Sequence, residues 1–319
     1  MKKNILVSVI IPAYNTQDYI TSILESVINQ TYKKIEIIII NDGSTDNTAL
    51  LAETYLKDKD VVWRILNQQN SGLANARNIG IKNAKGDWII CPDSDDFIAP
   101  NTICRLLKSA LKNNVQCAFC QYKNVFIENI RKSPTYDNGD ILLVRNQIKK
   151  KFLFRQINII VPGMIIHKSV FNSIEFDSQC PYSEDTLFIW KLIYCIDRVV
   201  CVNSDLYNYC IRQGSIIHSL TGAKCNQSID QFDIMTKDLF ISHPEDKRFI
   251  KYILPKFKIS AQHVLAKCVS YENFLKIYRS TDKAGIFNLI RTGNIKLSLF
   301  AIIYLSCPRL YFIICNKIG

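Results

Sequence analysis

Gly86–Asp87–Trp88–Ile89–Ile90–Cys91–Pro92–Asp93–Ser94–Asp95–Asp96 passes from four apolar residues to three carboxylates within four positions. The run from Trp88 to Cys91, bounded by Gly86 and Pro92, reads as a short buried strand with the acidic cluster at its C-terminal edge. Ligands of open α/β sheets gather at that edge. Asp93 and Asp95 repel each other, and a divalent cation with oxygen ligands relieves the repulsion, the more so if it also holds the phosphates of a substrate. The plainer reading is a solvated turn, with Asp96 pairing with the helix that Pro100 opens. A calcium loop is excluded: counted from Asp93, the glycine required at the sixth position is Ile98 and the glutamate required at the twelfth is Cys104.

Working outward, β-branched runs alternate with amphipathic ones. Ile5 to Ile11, ending at Pro12, reads as a central parallel strand. Ile20, Ile23, Leu24, Val27 and Ile28 then repeat at the spacing of one buried helical face, with Asn15 or Thr16 as the cap. Ile35 to Ile40 is a second buried strand. Asp46 or Asn47 caps a helix carrying Leu50, Leu51 and Tyr55, and Val61 to Leu66 supplies a third strand. A helix over about 72–83 precedes the strand at Trp88. This alternation predicts a doubly wound, mostly parallel, Rossmann-like sheet. Beyond it, Ile103, Leu106, Leu107, Ala110 and Leu111 mark a further helix, and Val115 to Ile127 is strand material. Asp137–Asn138–Gly139 marks a turn at the edge of the first half.

The chain has 319 residues, 48% of them hydrophobic and 21% charged, a globular balance with a formal charge of +12. The charge is uneven, for the stretch from Glu245 onward holds 13 Lys or Arg against 4 Asp or Glu. A basic quarter of this kind suits an anionic partner. No arginine-rich or basic-aromatic module points to nucleic acid, so the expected partner is an acidic membrane surface. The twelve cysteines lie scattered without a repeating interval and read as reduced cytosolic thiols. Cys117 and Cys120 have zinc-like spacing, but on a strand they face opposite sides. Between Leu297 and Cys315 a long apolar run is interrupted by Pro308–Arg309, which disfavours a membrane span. Leu297, Phe300, Ala301, Tyr304 and Leu305 are expected to form an amphipathic face lying in a membrane interface, the alternative being a tail packed on the protein's own core.

Four blocks resemble the successive signatures of family 2 glycosyltransferases: Val7 to Asn15, Asn41 to Asp46, Asn70–Ser71–Gly72 with Ala76–Arg77–Asn78–Ile79–Gly80, and Asp93 to Asp96. All stand in the family's order. The resemblance implies a GT-A fold and an inverting transfer of a sugar from a nucleotide diphosphate. It is dense from residue 5 to about 100, thinner to about 215, and absent from the tail.

That resemblance assigns roles residue by residue. Pro12, Tyr14 and Asn15 would lie along a nucleobase, and Asp42 would accept from the uracil imide. Arg77 would help hold the nucleotide, its planar fork suiting a phosphate or base carbonyl. Asp95 is the expected ligand of Mn or Mg, with Asp93 on the ribose or also at the metal, and Ser94 between them on the donor. Asp185, in Glu184–Asp185–Thr186–Leu187–Phe188, is expected to be the catalytic base, with Glu184 on the acceptor side or serving the helix dipole. Arg212 would contact phosphate. His218 is weighed as a further metal ligand, a structural histidine being the commoner case.

The expected organisation is a nucleotide-sugar half (1–130), an acceptor-side half (131–219) and a helical, basic extension (220–319). No Gln-x-x-Arg-Trp motif of processive synthases occurs in the sequence. The expectation is therefore a metal-dependent, non-processive hexosyl- or N-acetylhexosaminyl-transferase using a UDP-sugar. Its acceptor would be a lipid-linked or surface glycan of capsule or O-antigen type, at the cytoplasmic face of a bacterial membrane. Two alternatives stand beside it: a nucleotide-sugar-binding scaffold without turnover, and a nucleotidyltransferase, which needs a glycine-rich triphosphate loop that Pro12 to Thr16 does not offer.

Overall fold

β1 (Val7–Ala13) is buried along its whole length and lies at the heart of a parallel arrangement, as its β-branched run requires. The computed structural model describes residues 5–125, 139–211, 221–281, 283, 285–290, 292 and 294–317. β1 pairs in parallel with β2 (Ile35–Asn41) on one side and with β4 (Trp88–Ile90) on the other, and β3 (Val62–Asn67) extends the sheet beyond β2. The remaining strands are β5 (Phe97–Ile98), β6 (Cys117–Val125), β7 (Asp140–Val144), β8 (Met164–His167) and β9 (Arg198–Cys210). They complete the order β3-β2-β1-β4-β8-β6-β9-β5, with β7 paired to β9. β8 runs antiparallel to both β4 and β6, β9 runs parallel to β6, and β5 and β7 are antiparallel additions.

Helices α1 (Ile20–Ile28), α2 (Thr48–Leu56), α3 (Leu73–Asn83) and α4 (Thr102–Lys112) connect the first six strands. α1 buries Ile20, Ile23, Leu24 and Val27, the face its spacing predicts. α2 departs from expectation. Leu50 and Leu51 are exposed, and Thr48, Ala52 and Leu56 face inward. The reason is at the helix start, where the Thr48 hydroxyl donates to Asp46 Oδ1 at 2.6 Å and accepts from the Thr16 amide at 2.8 Å. Those bonds turn Thr48 toward the sheet, and residues one and two turns later follow it.

A buried carboxylate ties the start of β4 to its neighbours. Glu36 Oε1 accepts from the Ser8 hydroxyl at 2.6 Å and from the amides of Lys85 and Gly86 at 2.6 and 3.1 Å, while Oε2 pairs with Arg64 at 3.1 Å. Such a charge is tolerated inside only because several donors surround it.

The chain divides into two compact units, residues 1–178 with 188–212 and residues 179–187 with 213–319. The boundaries expected after 130 and after 219 both fall outside the described residues. The first unit also holds α5 (Arg145–Leu153) and most of α6 (Glu184–Cys195). The second unit is helical: α7 (Gly222–Ser242), α8 (Lys247–Ile250), α9 (Ile253–Cys268), α10 (Tyr271–Ser280), α11 (Ile286–Ile290), α12 (Ile295–Ser306) and α13 (Pro308–Lys317). Its core gathers Ile259, Phe274, Leu289, Ala301, Tyr304 and Tyr311. Here the expectation for the tail is corrected. Ala301 and Tyr304 are fully buried, and Leu297, Phe300 and Leu305 pack against the same core. The face read as membrane-seeking is the inward one, because apolar residues at helical spacing find a partner on α9, α10 and α11 first. No described helix is long and apolar enough to cross a membrane.

Candidate active site

Because β1, β2, β3 and β4 are parallel, the loops that follow them emerge at one edge of the sheet. The first two loops are laced together by side-chain to backbone bonds. Asn15 Oδ1 accepts from the Thr45 amide at 2.8 Å, the Asn15 amide donates to Ser44 Oγ at 3.1 Å, and the Gln17 amide donates to Asp46 Oδ2 at 3.1 Å. Burial pushes the Asp46 carboxyl up, and the hydrogen bonds from Thr48 and Gln17 outweigh it and hold the group below its ordinary value. Pro12 lies buried in β1, whereas Tyr14 is 49% exposed.

Asp42 is buried, and its carboxylate organises the third loop. Oδ1 accepts from the Ser71 amide at 2.8 Å and Gln68 Nε2 at 2.6 Å, and Oδ2 accepts from the Gly72 amide at 2.9 Å. Those amides precede α3, where donors would otherwise lack partners. Gly72 itself has φ +90°, a conformation that L side chains rarely adopt. The carboxylate expected to read the base also clasps the loop that starts α3, a partnership that spacing along the chain did not reveal.

From α3, Arg77 reaches under the fourth loop. It is 1% exposed, its Nη2 lies 2.8 Å from Asp93 Oδ1, and its guanidinium carbon stands 5.3 Å from the centre of the Phe176 ring. Phe176 is held in turn by Asn78, whose amide group donates to the Phe176 carbonyl at 2.8 Å and accepts from its N–H at 3.0 Å. The Phe176 ring stacks on Phe188 at 4.1 Å. Asn78 and Phe176 are 98 positions apart in the chain, and nothing local in the sequence announces that they meet.

Asp96, which the plainer turn reading would pair with the helix after Pro100, turns instead toward β9. Tyr207 OH donates to its Oδ2 at 2.5 Å and the Cys210 amide donates to its Oδ1 at 2.8 Å, while the same Tyr207 oxygen accepts from the Asp93 amide at 3.3 Å. Burial, and after it the charges of Asp93 and Asp95, push the Asp96 carboxyl up to about 8, against the two hydrogen bonds. Burial and then Asp96 hold the Tyr207 phenol well above its usual value. Ser94 is buried and Asp95 half-buried.

The donors that Asp93 and Asp95 offer at this edge are hard carboxylate oxygens, and their charges are felt at Asp96. That chemistry fits Mn or Mg, which takes one or two protein carboxylates and completes its shell with water and substrate phosphates. Among the described residues, no group of three or more His, Cys, Asp or Glu side chains is placed to hold a metal.

Glu184 and Asp185 open α6 as expected, after Ser183 with φ +59°, and Asp185 Oδ1 accepts from the Thr186 amide at 2.6 Å. Both residues belong to the segment 179–187 of the second unit. Arg212 and His218 lie outside the described residues.

The profile of glycosyl transferase family 2 matches residues 8–174. Glycosyltransferase GlyG of Streptococcus pneumoniae serotype 4 is 31% identical over 224 residues, covering 67% of this chain and 73% of GlyG. Some relatives are longer: at 32% identity the match covers 66% of this chain and 62% of EpsH of Bacillus subtilis. Among solved structures, S. aureus TarS in complex with UDP-GlcNAc superposes with a TM-score of 0.68 at 18% identity, over 94% of this chain and 91% of that one. The mannosyltransferase PcManGT of Pyrobaculum calidifontis, in complex with GDP-Man and Mn2+, gives 0.57 at 14% identity, over 98% and 87%. The chain belongs to glycosyl transferase family 2 and is a glycosyltransferase with the GT-A fold.

Proposed function

We propose that this family member is a metal-dependent, inverting, single-addition transferase that moves a hexosyl or N-acetylhexosaminyl group from a UDP-sugar to a lipid-linked or surface-glycan acceptor. It would serve capsule- or O-antigen-type polysaccharide assembly on the inner face of the membrane, with the basic C-terminal unit as the membrane contact. The observation that carries the reading is the Asp93–Asp95–Asp96 cluster at the C-terminal edge of the sheet, braced by Arg77 below and Tyr207 beside it. TarS, the neighbour bound to UDP-GlcNAc, supports the choice of UDP, and PcManGT supports the metal.

In this reading Tyr14 and Asn15 border the base, Asp42 shapes the loop beside it, and Asp93 takes the ribose while Arg77 holds its carboxylate in place. Asp95, with Asp93, would hold the divalent cation, which supplies charge neutralisation to the departing diphosphate when bound. Asp185 takes the proton of the acceptor hydroxyl as that oxygen bonds to the anomeric carbon and the bond from that carbon to the diphosphate oxygen breaks on the opposite face. Arg212 and Glu184 would serve the phosphate and the acceptor.

The test is release of nucleoside diphosphate by the purified protein with manganese, across UDP-, GDP- and dTDP-sugars, with and without chelator. Chelator-sensitive release from one UDP-sugar, lost in Asp95→Ala, is the expected result. UDP binding with no turnover on any donor, even with glycan acceptors present, would replace the enzyme by a nucleotide-sugar-binding scaffold.

A further inference from the structure

α12 and α13 are apolar on both sides. Their inward side is accounted for by the core of the second unit, where Ala301, Tyr304, Tyr311 and Cys315 are fully buried. The Tyr311 hydroxyl donates to the Ile259 carbonyl at 2.9 Å and the Asn316 side chain donates to that of Ala266 at 3.0 Å, so these helices are pinned to α9. On the outward side Ile295 is 85% exposed, Leu299 53% and Ile302 44%, and on α13 Leu310 is 45% and Ile313 40%. At 3.6 residues per turn, positions 295, 299 and 302 fall within about 60° of one another, as do 310 and 313. Single exposed aliphatic residues are ordinary on a protein surface, but two consecutive helices with an aliphatic row each are not.

The charges carried by α12 and α13 themselves have one sign. Lys296, Arg309 and Lys317 are exposed beside the aliphatic rows, and from Lys283 to Gly319 the sequence has five Lys or Arg and no Asp or Glu. A second copy of the same face would bring like charges together, whereas an anionic lipid surface complements both the rows and the charges. Twelve and ten residues give helices about 18 and 15 Å long, short of the roughly 30 Å hydrocarbon core, so they suit lying in the interface rather than crossing it.

We propose that the outward face of α12 and α13 docks on an anionic bilayer, with Ile295, Leu299, Ile302, Leu310 and Ile313 at the boundary of headgroups and acyl chains and Lys296, Arg309 and Lys317 on lipid phosphates. This deepens the membrane contact of the proposed function and reverses the side of α12 that the sequence pattern selects.

The experiment is co-sedimentation of the full chain with phosphatidylcholine vesicles, with and without phosphatidylglycerol, beside the L299S/I302S/L310S variant and the K296Q/R309Q/K317Q variant. The wild type is expected to bind the anionic vesicles only, in a salt-sensitive manner. Each variant should bind about tenfold or more weakly with an unchanged melting temperature, since the substituted side chains are exposed. Absence of binding by the wild type, equal binding by the aliphatic variant, or a concentration-dependent dimer that this variant abolishes would overturn the proposal. Donor turnover measured on the same samples, with glycan acceptors present, separates the two readings: turnover without vesicle binding overturns only the docking face, and vesicle binding with no turnover on any donor overturns only the enzyme.

Discussion

Arg77 Nη2 lies 2.8 Å from Asp93 Oδ1, so a guanidinium buried in the first unit ends on a carboxylate of the acidic cluster. The pair is asymmetric, with the arginine side chain 2% exposed and the aspartate 25%. Loss of the arginine leaves a partly buried carboxylate without that countercharge. Arg77→Ala is expected to destabilise the fold by about 3 kcal/mol. Arg77→Lys is expected to lose less stability but to weaken UDP binding, because an ammonium cannot serve the carboxylate and lie over the Phe176 ring with the same planar fork. Chemical denaturation and a UDP titration on each variant check both outcomes.

Asn78 acts one step further from the donor. Its amide closes both the N–H and the C=O of Phe176, whose ring supports Arg77. Asn78→Ala leaves those two backbone groups without it and is expected to cost about 2–3 kcal/mol. Asn78→Asp keeps the acceptor and loses the donor, so its melting temperature should fall between those of the wild type and the alanine variant.

Asp96 sets a pH dependence in the metal-free protein. An unfolded aspartate titrates near about 3.9, whereas the folded group is pushed up to about 8 by burial and by Asp93 and Asp95. A raised folded value favours the fold below the unfolded value, and that contribution is lost as pH rises through the folded one. Asp96→Asn removes the titration. In chelator its stability relative to the wild type should therefore increase from about pH 5 to about pH 9, as read by thermal melting. A flat difference across that range would mean that the neighbours do not raise Asp96.

Gly86 stands where the turn into β4 meets β1. A Cβ there would come 2.7 Å from the Ser8 nitrogen and 2.8 Å from the Leu6 carbonyl oxygen, both backbone atoms that cannot swing aside. Gly86→Ala is expected to destabilise by about 1–3 kcal/mol, measurable by denaturant titration.

For the transfer step, Asp185→Asn should lower turnover by about a hundredfold or more while UDP binding stays unchanged. Turnover close to wild type in that variant, with Asp95→Ala inactive, would place the base elsewhere.

Local sequence pattern was enough for the alternation of strands and helices from β1 to β4, for α4 and β6, and for the edge at which the candidate site lies, whereas β5, β7, β8 and β9 carried no such signal. β-branched runs such as Ile35 to Ile40 can satisfy their burial only in a covered parallel sheet, and parallel strands deliver their following loops to one side. These are local periodicities, legible without knowing any partner. Tertiary structure alone decided the partners of buried polar groups: Asp96 with Tyr207 across 111 positions, Asn78 with Phe176 across 98, and Asp42 with the Ser71 and Gly72 amides. It also chose the inward face of α2, where a hydroxyl bonded to Asp46 outweighed two leucines, and of α12, where both faces are apolar. A hydrogen-bonding group must find a complement once water is removed, and which complement lies within 3 Å depends on how distant segments pack rather than on the residues beside it in the chain.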